Sequence, residues 1–155
     1  MPGQGILRAD RIRIDRYPVT YLVDANVLSE ATKPRPSARV IEWLRAHESE
    51  IVVDPIILGE IRFGIYLMPA GARRRQLERW FAQGAEKMHC LPWEAATGIR
   101  WAKLLAELRA AGHAMPIKDS LIAATALVHR LTVATRNQRD FLNAGVKVID
   151  PFSER

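Results

Sequence analysis

Four acids in this chain follow apolar runs that look like strands, or open the helices after them. Asp24 comes directly after Tyr21-Leu22-Val23, and Glu60 lies on a helix that follows Ile51-Val52-Val53. Asp119 opens a late apolar helix, and Asp140 sits in the polar loop after Leu131-Thr132-Val133-Ala134. Parallel strands joined by right-handed crossovers end on one shared edge, and that edge is where open α/β sheets bind ligands. Each acid alone has an ordinary role as a helix cap, a turn residue or a partner of a helix dipole. Together they pose an electrostatic problem, because three or four carboxylates at close range cannot all stay ionised without a cation. A hard divalent ion such as Mg²⁺ or Mn²⁺ solves it with oxygen ligands and retained waters. Such an ion can activate water, orient a phosphodiester and stabilise charge on the leaving oxygen. The residues therefore predict metal-dependent phosphodiester hydrolysis, with Asp24, Glu60, Asp119 and Asp140 as acids and metal ligands.

Other chemistries find less support. His47, His89, His113 and His129 form no close ligand pair of the H-E-x-x-H kind, and Cys90 is the single cysteine, so a zinc site or an intrachain disulfide is not expected. Neither a phosphate loop nor a glycine-rich dinucleotide fingerprint is present, nor a G-x-S-x-G elbow. The four tryptophans fall mostly in amphipathic patterns and read as core or interface. With 155 residues, 48% hydrophobic and 26% charged, the chain reads as one globular domain. A net charge of +6 suits a polyanion or an acidic protein partner. No apolar run reaches the roughly 18 residues that span a membrane, and a lone cysteine suits a reducing, cytoplasmic setting.

The elements that must position the acids alternate between strand and helix, which predicts an α/β fold with a mostly parallel central sheet. Ser37 caps a helix with Val40, Ile41, Trp43 and Leu44 on one face. Asp54-Pro55 starts another with Asp as N-cap and Pro at the first position, running to about Met68 with Ile57, Ile61 and Ile65 inward. Gly59 and Gly64 flank that stripe, each costing about 1 kcal/mol relative to Ala in a helix, and suggest close backbone approach beside Glu60. A helix over 72–83 carries Arg73, Arg74 and Arg75, whose clustered charge makes them candidates for contact with RNA or a partner protein. Residues 88–91 read as a short strand, and Pro92-Trp93 as the start of a helix with Ile99, Ala102, Leu105, Ala106 and either Leu108 or Arg109 inward, ending at Gly112. A loop over 113–118 leads to Asp119, and 146–149 reads as a final edge strand. Residues 1–20 are set apart as an N-terminal extension in which 11–14 could add a strand, 21–152 form the domain, and 153–155 are a tail.

Four segments carry a family resemblance: Val23-Asp24-Ala25-Asn26-Val27-Leu28-Ser29-Glu30, Gly59-Glu60-Ile61, Asp119-Ser120-Leu121-Ile122-Ala123-Ala124-Thr125-Ala126, and Thr135-Arg136-Asn137-Gln138-Arg139-Asp140-Phe141. In order and spacing, over about 21–152, they resemble the PIN-domain ribonucleases, most closely the VapC toxins of bacterial type II toxin–antitoxin pairs. The resemblance implies a central parallel sheet of about five strands flanked by helices. It also implies Mg²⁺- or Mn²⁺-dependent endonucleolytic cleavage of RNA. Asp24 and Asp119 would be the principal ligands, Glu60 would bridge or polarise water, and Asp140 would complete the site. Asn26, Thr135 and Asn137 would orient ligands or substrate. A homodimer and a cognate antitoxin that blocks the acids are implied as well. Ala25, where threonine is common, and the extra N-terminal segment depart from the pattern without removing an acid. Two other readings stay open: a non-catalytic RNA- or protein-binding module whose acids are structural, and phosphoryl transfer through Asp24. For the latter, Asn26 stands where the second acid of a D-x-D motif would be.

Overall fold

The computed structural model describes residues 20–153. The expected N-terminal extension, with its candidate strand over 11–14, lies outside the described residues apart from Thr20. Four parallel strands form one sheet in the order β2-β1-β3-β4, where β1 is Tyr21–Val23, β2 Ile51–Val52, β3 Thr132–Ala134 and β4 Val148–Ile149. Six α-helices accompany them among the described residues: α1 Ala25–Leu28, α2 Ala38–Ala46, α3 Pro55–Tyr66, α4 Ala72–Gln83, α5 Ala95–Ala110 and α6 Ile117–His129. The strands are short because both faces are covered, so Leu22, Val23, Val52, Val133 and Ala134 are fully buried and leave no polar alternation.

The sheet holds four strands rather than about five. The stretch expected as the fifth makes a single parallel bridge, Val53 to Cys90, in which the Val53 N–H donates to His89 O and the Leu91 N–H to Val53 O. A 3-10 turn at Ala85–Lys87 before it and Pro92 after it confine the pairing to that bridge. The edge position of β4 agrees with the reading of 146–149.

Asp54 caps α3 as expected, accepting from the Ile57 N–H at 2.9 Å, and Ile57, Ile61 and Ile65 face the core. The glycines of α3 have a different meaning from the one expected. A Cβ at Gly59 or Gly64 would meet nothing within 4 Å, because both lie on the outer face. They mark open surface, not close approach. The inward face of α5 is also rotated from the expected one. Thr97, Leu104 and Leu108 are buried, whereas Ile99 is 73% exposed. The helix starts at Ala95, after Pro92-Trp93, where the Thr97 hydroxyl accepts from the Glu94 N–H at 3.4 Å. Finally, α6 begins two residues before Asp119, so Lys118 belongs to its first turn and not to a loop.

Candidate active site at the carboxyl edge of the sheet

β1 delivers Asp24 to the carboxyl edge, where its N–H bonds Ala134 O across to β3 at 2.9 Å. As N-cap of α1 its Oδ1 accepts from the Ala25 N–H at 2.8 Å. Oδ2 accepts from the Thr135 hydroxyl at 2.7 Å and from Asn26 Nδ2 at 3.4 Å. Thr135, the first residue after β3, is itself buried, and its oxygen accepts from Asn26 Nδ2 at 3.2 Å and from the Asn137 N–H at 3.0 Å. Asn26 Oδ1 takes the Arg136 N–H at 3.1 Å. One hydrogen-bonded knot thus ties the ends of β1 and β3 together around a carboxylate that is 2% exposed. Burial pushes the Asp24 pKa up against these bonds, and the Glu60 carboxylate adds to the rise.

Asp119 stands in the first turn of α6 and is 4% exposed. No hydrogen bond reaches its carboxylate from the described residues. Burial, then Asp24, with smaller contributions from Asp140 and Glu60, pushes its pKa up to about 6, against the opposing pull of Lys118. Asp24, Asp140 and Glu60 thus lie near enough for their charges to act on Asp119. Asp140 stands in an exposed 3-10 turn, Gln138–Phe141, whose Phe141 is buried as an anchor. Glu60 comes from α3, its Oε1 2.5 Å from Lys118 Nζ, while its Oε2 is buried without a hydrogen-bond partner.

This donor set suits a hard divalent cation: oxygen ligands only, one carboxylate without hydrogen bonds and one buried oxygen without a partner. The ligand cage is nevertheless not closed. Among the described residues no group of three or more His, Cys, Asp or Glu is placed to hold a metal ion, and Glu60 is engaged by Lys118. Asp54, at the end of β2, shows what a purely structural acid looks like here. It is fully buried, and its carboxylate is satisfied by the Ile57 N–H and by the Thr125 hydroxyl at 2.7 Å.

A groove of about 1100 Å³ elsewhere, walled by Ile41, Leu44, Trp80, Met88 and Leu91 among others, contains none of the four acids. The chemistry therefore belongs to the sheet edge rather than to that groove.

Of the other expected residues, Asn26 and Thr135 join the acids directly, whereas Asn137 contributes its backbone N–H. The three arginines of α4 expected to make contacts separate. Arg73 bonds Gln76 and the Thr32 carbonyl, and Arg74 pairs with Glu78 at 3.1 Å and reaches the Met68 carbonyl. Arg75 is exposed and meets no partner among the described residues. Two cations went unnoticed in the sequence. Lys118 sits on Glu60, and Arg136 lies over the Phe152 ring at 4.5 Å. The signal for Lys118 was its place in a helical first turn, where the dipole disfavours a cation unless an anion compensates.

Residues 21–147 match the sequence model of a family described as the PIN domain. A plasmid stability protein, StbB, from Pseudomonas syringae pv. tomato is 39% identical over 140 residues, covering 84% of this chain and 97% of that one. The VapC ribonuclease Y4jK of Sinorhizobium fredii is 33% identical over 135 residues, with 84% and 96% covered. Among solved structures, FitAcB from Neisseria gonorrhoeae superposes with a TM-score of 0.80 at 31% identity, covering 86% of this chain and 99% of that one.

Proposed function

The chain belongs to the PIN-domain family, and from that premise we propose that it is the ribonuclease toxin of a toxin–antitoxin pair, hydrolysing RNA phosphodiester bonds with a divalent metal. The observation that carries this reading is Asp119, a buried aspartate whose carboxylate accepts no hydrogen bond from the described residues and whose pKa is raised by burial and then by its neighbouring acids. A structural acid would be satisfied as Asp54 is, which counts against a non-catalytic module. Asn26, where a phosphoryl-transfer site would need its second acid, is an amide that donates to Asp24 and Thr135 and accepts from the Arg136 N–H, which disfavours Asp24 as a phosphoryl acceptor.

In this reading Asp24, Asp119 and Glu60, with Asp140 at the rim, hold Mg²⁺ or Mn²⁺. The ion, when bound, supplies an activated water and charge stabilisation at the leaving oxygen. The protein's own part is orientation. Thr135 and the Ala25 N–H fix the plane of the Asp24 carboxylate, Asn26 braces Thr135, and the Asn137 N–H braces it from the other side. Arg136, held over Phe152, places a cation in the loop after β3 that is suited to an RNA phosphate. A protein partner is supported by the outer face of α3, where Phe63, Tyr66 and Leu67 are exposed beside Arg62 and Arg74. An antitoxin and a second copy of the chain are both proposed as partners. No helix among the described residues is long and apolar enough to cross a membrane, and the cytoplasm is the proposed site of action.

Expression in a bacterial host tests the biological part. Growth arrest is expected, abolished by Asp119→Asn and relieved by co-expressing the protein encoded upstream. Arrest that persists in Asp119→Asn at equal expression would refute the reading.

A further inference from the structure

Lys118 and Glu60 come from α6 and α3, 58 positions apart in the chain, and their side chains form an ion pair at 2.5 Å. The pair is not a surface ornament. Glu60 is one of the four acids, and its second oxygen is buried without a partner. Lys118 neighbours Asp119 in sequence and acts on both Asp24 and Asp119 through its charge. It stands in the first turn of a helix, a position that by itself disfavours a cation. The ammonium is thus held where the carboxylates, and not its own helix, want positive charge. Half of its side chain stays in solvent, so it can leave without unfolding anything.

We propose that Lys118 is a positioning residue that competes with the divalent ion, holding Glu60 out of the ligand set in the metal-free protein and releasing it when the ion binds. This rests on the metal-dependent reading above. Lys118 gives the acids a counter-charge before metal arrives. The device costs metal affinity, because each binding event must break the pair and place a divalent charge beside an ammonium.

Calorimetric titration of the full chain with Mn²⁺, without RNA, tests it. Lys118→Met should bind Mn²⁺ about fivefold more tightly than the wild type, the worth of a well-placed exposed pair. Lys118→Arg, which keeps the charge, should stay near the wild-type value. Equal or weaker binding by Lys118→Met would overturn the proposal. If Lys118→Met does not fold, the wild type gives the answer by NMR. The Lys118 side-chain nitrogen resonance should then move with the same midpoint as Mg²⁺ binding, and an unmoved resonance would overturn the proposal. A wild type that binds neither ion would instead remove the metal-dependent reading, and this inference with it.

Discussion

Asp119 and Asp54 are both buried aspartates at the same edge of the sheet, and burial raises the pKa of each, yet their surroundings differ. Asp54 is satisfied by an N–H and a hydroxyl; Asp119 is surrounded by other acids. The consequence is a pH dependence with a definite sign. Folded Asp119 keeps its proton up to about 6, whereas the unfolded chain releases it near 3.8. Between those values the native state binds more protons, so its stability falls as pH rises. The loss amounts to at most about 3 kcal/mol, less what solvent relieves. Asp24 acts in the same direction. Glu30 acts in the opposite one, its pKa lowered chiefly by Lys33 and by the Ser37 N–H, so its contribution fades as pH drops. Asp119→Asn should therefore raise the melting temperature of the metal-free protein at pH 7.5 and leave it almost unchanged near pH 4. Scanning calorimetry at the two pH values checks this; an equal gain at both would show that repulsion is not the cause. Replacing Asp24 should yield a smaller gain, because the bonds from Thr135 and Ala25 make Asp24 the better-compensated acid.

At the scale of elements, what the chain announces locally and what only packing decides are clearly separated. Asp54-Pro55, the stripe Ile57-Ile61-Ile65, and Asp24 at the end of β1 are read correctly because a cap, a four-residue step and a strand end each have a local cause. The inward face of α5 is misread because Ile99 and Leu104 lie on different sides of one helix, and both are apolar. Which side is covered depends on α6, a partner that periodicity cannot name. The stretch at 88–91 has strand-like residues but lacks neighbours for more than one bridge. Gly64 follows the same logic: with open space around it, Gly64→Ala should stabilise the protein by about 0.5–1 kcal/mol, read as a higher urea midpoint at unchanged slope with RNA cleavage unaltered. A destabilised variant would restore the idea of close approach. On α4, Arg75 and Arg79 are both exposed and available to a polyanion. Arg75→Gln should lower the salt slope of RNA binding by about 0.7, one single-strand phosphate contact; an unchanged slope would remove Arg75 from the RNA-binding surface.

For the molecule as a whole, Asp119 feels the charges of Asp24, Asp140 and Glu60 on a chain of net charge +6, a balance that favours a polyanionic partner. The arrival of Asp24 at the carboxyl edge was foreseeable, since it directly follows a strand. The counter-charge from Lys118 was not, because 113–118 reads as a loop and hides its place in the first turn of α6. The family match spans 21–147, and the four acids lie wholly within it. The central claim, that the acid cluster cleaves RNA through a divalent ion, is tested most directly by incubating the purified chain with a structured RNA under Mg²⁺ or Mn²⁺, then with excess chelator. Cleavage with either ion, lost in chelator and reduced at least about a thousandfold in Asp24→Asn while that variant keeps its fold, is the predicted result. Cleavage that survives chelator, or that persists undiminished in Asp24→Asn, would contradict it.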